Sequence, residues 1–469
     1  MTLILFAALL ALFAGTFAGL AAEGPLGAAA VLAGGVFAIA SLFSLRSRPP
    51  AAASPLREAG AEARFLAWVM FGAFAARGAV AIGLHLTGWW EFLGGDEQTF
   101  DSNGQVFAAW LKGDSPYMFR RKFVGSHEVG YFCLVGSSYY AFGVTKFVPL
   151  LLNCVLGAAT VYPVHALAGH LGGRVAARRA ALLVAFFPSL VLWSALMVRD
   201  GLVLFFLACA LLAAYHLRRR FSARRLLALL VCLAALSTLR TYMFLLVSVA
   251  LAASLVLGQR SVPRAIATGG LLMLALVVAL QQTGIGASEM ERANLDFLHR
   301  QRVLNAMGGS AAGSMGTEVD ISTPTAALTY LPIGLAYFYL SPFPWQIGSA
   351  RQVLAVVDLV VWYSILPAVF VGVAGLVRRR FRAVLPLLLV VIGISVLYAL
   401  VEGNIGIIFR HRAQIIVPLC AVAGVGVAMR RRAARRKEPR PLEGALPLDP
   451  AARGALGPAA GLRLPAGPR

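Results

Sequence analysis

Apolar stretches close to the length that crosses a bilayer recur along almost the whole chain, joined by short arginine-rich connections. A helix needs about 20 apolar residues to span a hydrocarbon core ~30 Å thick. This pattern admits few folds, because backbone N–H and C=O groups surrounded by lipid must be bonded internally, and helices do this within their own segment. The 469 residues would otherwise suggest roughly two or three soluble domains; the pattern predicts one large helical bundle instead. Hydrophobic residues make up 59% and charged residues 13%, against about 25% charge in a soluble domain, and mean hydropathy is +0.78.

The expected fold is therefore all-α, a polytopic transmembrane bundle of about twelve helices near 2–21, 27–45, 65–86, 147–168, 179–197, 201–216, 226–239, 242–258, 265–284, 352–376, 383–401 and 413–429. Thr2–Ala21 has no basic residues before it and is followed at once by a second apolar stretch, which reads as a retained helix and not a cleaved leader. The pair 226–239 and 242–258, broken at Arg240, reads as a tight hairpin or as one interrupted helix. No internal repeat is evident, which counts against a transporter built from inverted halves.

Net charge is +22. It sits in clusters at the ends of apolar segments, such as Arg218–Arg220, Arg378–Arg380 and Arg430–Arg432. That is the distribution of the positive-inside rule, not of an aromatic-interleaved basic groove, so no nucleic-acid partner is expected. All the basic connections share the cytoplasmic face if 131–143 and 329–345 lie in the outer interface without spanning. Residues 1–429 then form one membrane domain, with outer loops at 87–145 and 285–350 and a short outer segment Glu402–Arg412. Residues 430–469 are expected to be a disordered basic cytosolic tail. The polar stretch GGSAAGSMGTEVDISTP in the second loop is expected to be a mobile lid. Cys133, Cys154, Cys209, Cys232 and Cys420 show neither disulfide-framework nor metal-ligand spacing.

The chemistry is expected in Gly94–Tyr117 (GGDEQTFDSNGQVFAAWLKGDSPY). Asp96 and Glu97 follow a Gly pair just beyond the third helix, and Phe100, Phe107 and Trp110 recur at helical spacing, predicting a helix on the membrane surface. A carboxylate at this interface can serve as general base toward a hydroxyl; the alternative is that both acids cap the surface helix. A divalent cation at Asp96, Glu97 and Asp101 is left open; no His/Cys/carboxylate cluster has metal spacing. Arg199, Arg240, Arg410 and Arg412 lie beside or inside apolar segments, where a charge at mid-helix costs about 2.5–3.5 kcal/mol on insertion scales. They suit a lipid phosphate, or else snorkel to the headgroups or pair with Asp200 and Glu402. Asp101, His127, Glu128, Asp200 and His411 complete the candidate substrate-binding set. The aromatic, Pro-rich Tyr330–Trp345 is expected to line a prenyl groove or stack on a sugar, or else to anchor the interface.

These motifs also carry a resemblance. Asp96-Glu97 with the following aromatic, Ala108-Ala109, Gly113-Asp114 and Pro116-Tyr117 resemble the first outer loop of the GT-C glycosyltransferases, in their protein mannosyltransferase and aminoarabinose transferase branch. Gly130–Gly143, Phe187-Pro188 with Val198-Arg199-Asp200, the break at Thr238–Thr241, and Phe409–Arg412 with Pro418 resemble later motifs of the same group. The resemblance covers about half the chain. It implies an inverting transferase that moves a sugar from a polyprenyl-phosphate or diphosphate carrier to a hydroxyl on a glycan, lipid or protein, with Asp96 as base and the site on the periplasmic face of a bacterial inner membrane. Arg240 stands where the group often has Lys, and the C-terminal soluble domain common in the group is replaced by a short tail. Two rival readings are an O-antigen ligase or polysaccharide polymerase, favoured by Arg410-His411-Arg412, and a transporter of lipid-linked glycan.

Overall fold

The computed structural model describes residues 54–93, 95–114, 128–258, 263, 294–307, 319–347 and 350–437. The helices expected near 2–21, 27–45 and 265–284, together with Pro116-Tyr117, His127 and the lid segment 308–318, lie outside these residues. Residues Met1–Met429 form one compact unit. A second unit, Arg430–Arg469, is helical over its described residues 430–437.

Among the described residues the chain is all-α, with no strand. The helices are α1 (Ser54–Thr87), α2 (Trp89–Leu93), α3 (Gly95–Leu111), α4 (Val129–Phe142), α5 (Phe147–Ala159), α6 (Val161–Gly172), α7 (Arg174–Phe186), α8 (Pro188–Ser194), α9 (Asp200–Arg219), α10 (Ala223–Leu239), α11 (Thr241–Gly258), α12 (Leu295–Met307), α13 (Pro324–Leu340), α14 (Ala350–Val401) and α15 (Ile405–Lys437). Five of the described segments are long and apolar enough to cross a membrane: Gly60–Thr87, Phe147–Gly172, Asp200–Arg219, Gln352–Val401 and Ile405–Ala434. The α7–α8 pair adds a sixth if counted as one bent span.

Three interruptions shape the bundle. The span expected at 179–197 is broken between α7 and α8 with a bend of 52°. Pro188 causes it, because it has no N–H to bond the carbonyl of Val184 four residues back. The fully buried Arg77 of α1 fills the gap, donating to Ala185 O at 2.7 Å, to Val184 O at 3.4 Å and to Ser194 Oγ at 2.8 Å. Asp358 of α14 covers the start of α8 by accepting from Ser189 N at 2.8 Å. The second interruption is Arg240, whose φ of −161° and ψ of 87° end α10. The chain reverses there: α10 rises from beside His216 to beside Arg199, and α11 descends past Tyr398 and then Gly393. The hairpin reading of 226–258 is the one realised. The third is Arg380, with φ −142° and ψ 35° inside α14. It separates the stretches expected at 352–376 and 383–401, and its guanidinium donates to His170 O at 2.9 Å.

Helix α3 forms as the apolar spacing predicts. Phe100 and Phe107 of α3 are buried against α4, and the two helices cross closely because Gly104 and Gly136 face each other. A Cβ on Gly104 would meet Val135 at 2.4 Å, and one on Gly136 would meet Phe107 at 2.6 Å. Helix α13 starts where Thr323 caps it, accepting from Ala326 N at 3.3 Å, with Pro324 in the first turn. It carries the first part of the aromatic segment expected to lie in the interface.

Candidate functional site

The short non-helical connection from Ala195 to Arg199 links α8 to α9 and is held from two sides. Asn153 of α5 donates to Leu196 O at 2.7 Å and to Val198 O at 2.8 Å. Glu97 of α3 accepts from Met197 N at 2.6 Å. This fixes Arg199 and Asp200 at the start of α9. Arg199 pairs with Glu128 at 2.5 Å and donates to Leu239 O at 3.2 Å.

Asp200 is buried and binds two arginines. Arg240, at the α10–α11 reversal, reaches it at 3.2 Å, and Arg410 reaches its other oxygen at 2.5 Å. Arg410 continues to Asp96, also at 2.5 Å. One guanidinium thus bridges a buried carboxylate and a half-exposed one, with side-chain exposures of 3% and 52%. Arg240 also contacts the Tyr398 hydroxyl at 3.4 Å, and its Nε and that of Arg199 have no partner among the described residues.

The segment Glu402–Arg412, expected as an outer connection, is helical from Ile405 onward. Successive helical residues point about 100° apart, so Arg410, His411 and Arg412 diverge. Arg410 turns to the two aspartates. His411 Nδ1 meets Glu402 Oε1 at 2.6 Å, with its ring stacked on Tyr398 at 4.3 Å. Arg412 turns away into the bundle, donating to Phe338 O at 2.9 Å and to Ser341 O. Its role is to bond the carbonyls at the C-terminal end of α13, which corrects its assignment to substrate binding.

Asp96, Glu128, Arg199, Arg240, Glu402, Arg410 and His411 all line one cavity of about 1420 Å³. Below this charged head the walls are apolar. Leu245, Leu246, Val249 and Ala253 of α11 and Leu389, Ile392 and Leu397 of α14 line the cavity there. From Thr241 to Ala253 the lining runs about 18 Å along α11, roughly half the hydrocarbon thickness of a bilayer. Ligand pockets usually run to about 300–1,000 Å³, so this space suits an elongated amphipathic molecule.

Four expected site residues, Glu97, Asp101, Asp200 and Arg412, stand outside the cavity lining. Glu97, expected beside Asp96 as catalytic, is spent on Met197 N. Burial pushes its carboxyl up to about 7 against the lowering effect of that hydrogen bond. Asp101 accepts from Tyr139 Oη at 2.7 Å and pairs with Lys146 at 3.5 Å, tying α3 to α4 and α5. Asp96, Glu97 and Asp101 therefore have separate partners and do not converge on a divalent cation. Among the described residues no group of three His, Cys, Asp or Glu side chains is placed to hold a metal ion. Asp200 stands behind the wall, coupled to the cavity through Arg240 and Arg410. Tyr242, Tyr398 and Asn305 also belong to the head and were not legible as site residues. Two sit in apolar helices and read as core, and Asn305 precedes the lid segment without a motif of its own.

Compared with known proteins, no family model matches the chain, and no curated protein matches it in sequence.

Proposed function

We propose that this chain is a membrane glycosyltransferase of the GT-C type, moving a sugar from a polyprenyl-phosphate-linked donor to a hydroxyl acceptor. The observation that carries the reading is the single cavity joining a half-exposed carboxylate, three guanidinium groups and an apolar channel. A prenyl chain lies along the apolar wall that α11 and α14 share, and its phosphate meets Arg199, Arg240 and Arg410. Arginine suits that contact through paired donors. Asp96 stands at the exposed rim, where an acceptor hydroxyl arrives from water. A donor phosphate on Arg410 competes with Asp96 for the guanidinium and so releases the carboxylate to act as base. The base takes the hydroxyl proton while the acceptor oxygen attacks the anomeric carbon from the face opposite the phosphate, inverting it.

The topology belonging to this reading has about twelve membrane helices, with the cavity opening on the periplasmic face of a bacterial inner membrane. The test uses the full chain in liposomes with undecaprenyl-phosphate-linked sugars, following release of undecaprenyl phosphate. Asp96→Asn is expected to lower transfer at least about 100-fold, within the range of general base catalysis, with unchanged apparent Tm. Full activity in that variant would remove the catalytic assignment. A ligase or polymerase reading draws on Arg410 and His411 lying at the same cavity head; essential Arg410 and His411 with a dispensable Asp96 would favour it.

A further inference from the structure

We propose that His411 is the acid of this site, its imidazolium protonating the phosphate oxygen as it departs from the sugar, with Glu402 as the residue that positions it. The inference rests on the sugar-transfer reading of the cavity and adds a residue role to it. Three observations carry it. First, the ring is fixed on a face and an edge. Tyr398 stacks on it with an interplanar angle of 16°, and Glu402, whose side chain is 1% exposed, takes Nδ1 at 2.6 Å. Tyr398 is in turn held by Gln414 at 2.9 Å. Second, with Nδ1–H committed to Glu402, Nε2 is the remaining nitrogen, and it has no hydrogen-bond partner among the described residues. A carboxylate behind an imidazole fixes its tautomer and stabilises its protonated form. His411 lines the same cavity head as the three arginines.

Third, the ring sits among charges of both signs where an anion would enter. Asp96, Asp200, Glu128 and Glu402 face Arg199, Arg240 and Arg410. With Arg302, which donates to Glu402 O at 2.8 Å, four carboxylates stand against four guanidinium groups, and an arriving phosphate makes the head net negative. The ring is thus surrounded by Glu402 just beyond α14, by Arg240 from the α10–α11 reversal, by Asp200 from α9, by Arg410 from its own helix, and by the hydroxyls of Tyr242 and Tyr398. An arriving phosphate adds negative charge beside the ring.

In the step, the acceptor O–H proton passes to the Asp96 carboxylate and the acceptor oxygen bonds to the anomeric carbon. The bond from that carbon to the phosphate oxygen breaks with its electron pair going to the oxygen. His411 Nε2 delivers its proton there, so the polyprenyl phosphate leaves without gaining a second charge. Solvent then returns a proton to His411 and removes one from Asp96.

The test measures the pH dependence of transfer from an undecaprenyl-phosphate-linked hexose by the full chain in liposomes. Wild type is expected to give a bell-shaped profile, with the alkaline limb set by His411. His411→Gln is expected to lose about 100-fold at the optimum and to lose that limb. Glu402→Gln keeps the acceptor but removes the charge, so the alkaline limb should move to lower pH, with kcat falling more than KM rises. A second measurement does not depend on the sugar. Undecaprenyl phosphate is titrated onto wild type and His411→Gln across pH, and the weakening of affinity at rising pH should be smaller in the variant. An unchanged alkaline limb in both variants, or equal pH dependence of phosphate binding, overturns the role of His411. Wild type that neither binds undecaprenyl phosphate nor releases it overturns the sugar-transfer reading instead.

Discussion

Adjacent acids in one sequence motif separate sharply once folded. Asp96 and Glu97 are neighbours on α3, about 100° apart around the helix, so one meets the cavity and the other the α8–α9 connection. Glu97 illustrates the energetic consequence. Its carboxyl titrates near 7 in the fold, raised by burial from an ordinary 4.5. The folded chain therefore holds a proton that the unfolded chain releases earlier, and stability is fully present below about pH 4.5 and is lost as pH rises toward 7. Glu97→Gln keeps an acceptor for Met197 N and never ionises. It is expected to melt higher than wild type at pH 8, by an amount on the order of 2–3 kcal/mol, to show a flatter pH dependence, and to keep its transfer activity. A variant inactive at every pH but fully folded would restore Glu97 to the catalytic set. Much of the remaining head was legible because arginine in an apolar segment is costly and needs a reason. Arg412 shows the limit of that logic. Its reason is the pair of carbonyls at the end of α13, which lies more than seventy residues away in sequence.

Elements were legible as apolar stretches, and so were the breaks at Arg240 and between 376 and 383; the bend inside 179–197 was not. Pro188 marked one break, yet its bend of 52° depends on Arg77, a residue that reads simply as a charge in α1. Arg380 carries no breaker residue and its contact with His170 O decides it, whereas Gly403-Asn404 mark the onset of α15, where Asn404 Oδ1 accepts from Gly406 N at 2.9 Å. The Arg77 contact makes a prediction at this scale. In a non-aqueous bundle a carbonyl without a donor costs about 1–3 kcal/mol. Arg77→Met removes the donor from Val184 O and Ala185 O together while keeping much of the side-chain volume. The variant is expected to lower the apparent Tm by several degrees and to reduce transfer, because α8 carries Trp193 to the cavity wall and leads into Arg199. Ser194→Ala, which removes only one of the acceptors of Arg77, should have a smaller effect on both. Equal stability of Arg77→Met and wild type would mean that the break is held by packing alone.

At the scale of the whole membrane unit, charge is divided between two ends. Helix α9 begins at the site with Asp200 and ends at Arg218 and Arg219, while α10 returns from Arg224 and Arg225 to Arg240. The α14 kink at Arg380 lies beside His170, remote from Glu402, and Arg174 and Arg178 bind Glu62 near the start of α1. Carboxylates therefore gather with arginines at the cavity end, whereas the opposite end is dominated by arginine. Clusters of Lys and Arg in short connections are retained on the cytoplasmic side during insertion, so the cavity head is expected to face outward. The exposed Asp320, close to the α12 residue His299, should then be outside, and Arg379 inside. In a background without the five native cysteines, Asp320→Cys is expected to react with a membrane-impermeant maleimide in intact cells. Arg379→Cys is expected to react only after permeabilisation. The reverse pattern would put the three arginines of the head on the cytoplasmic side, against the local charge balance. It would also separate Asp96 from any acceptor outside the cell and so remove the basis for a sugar transfer on the outer face.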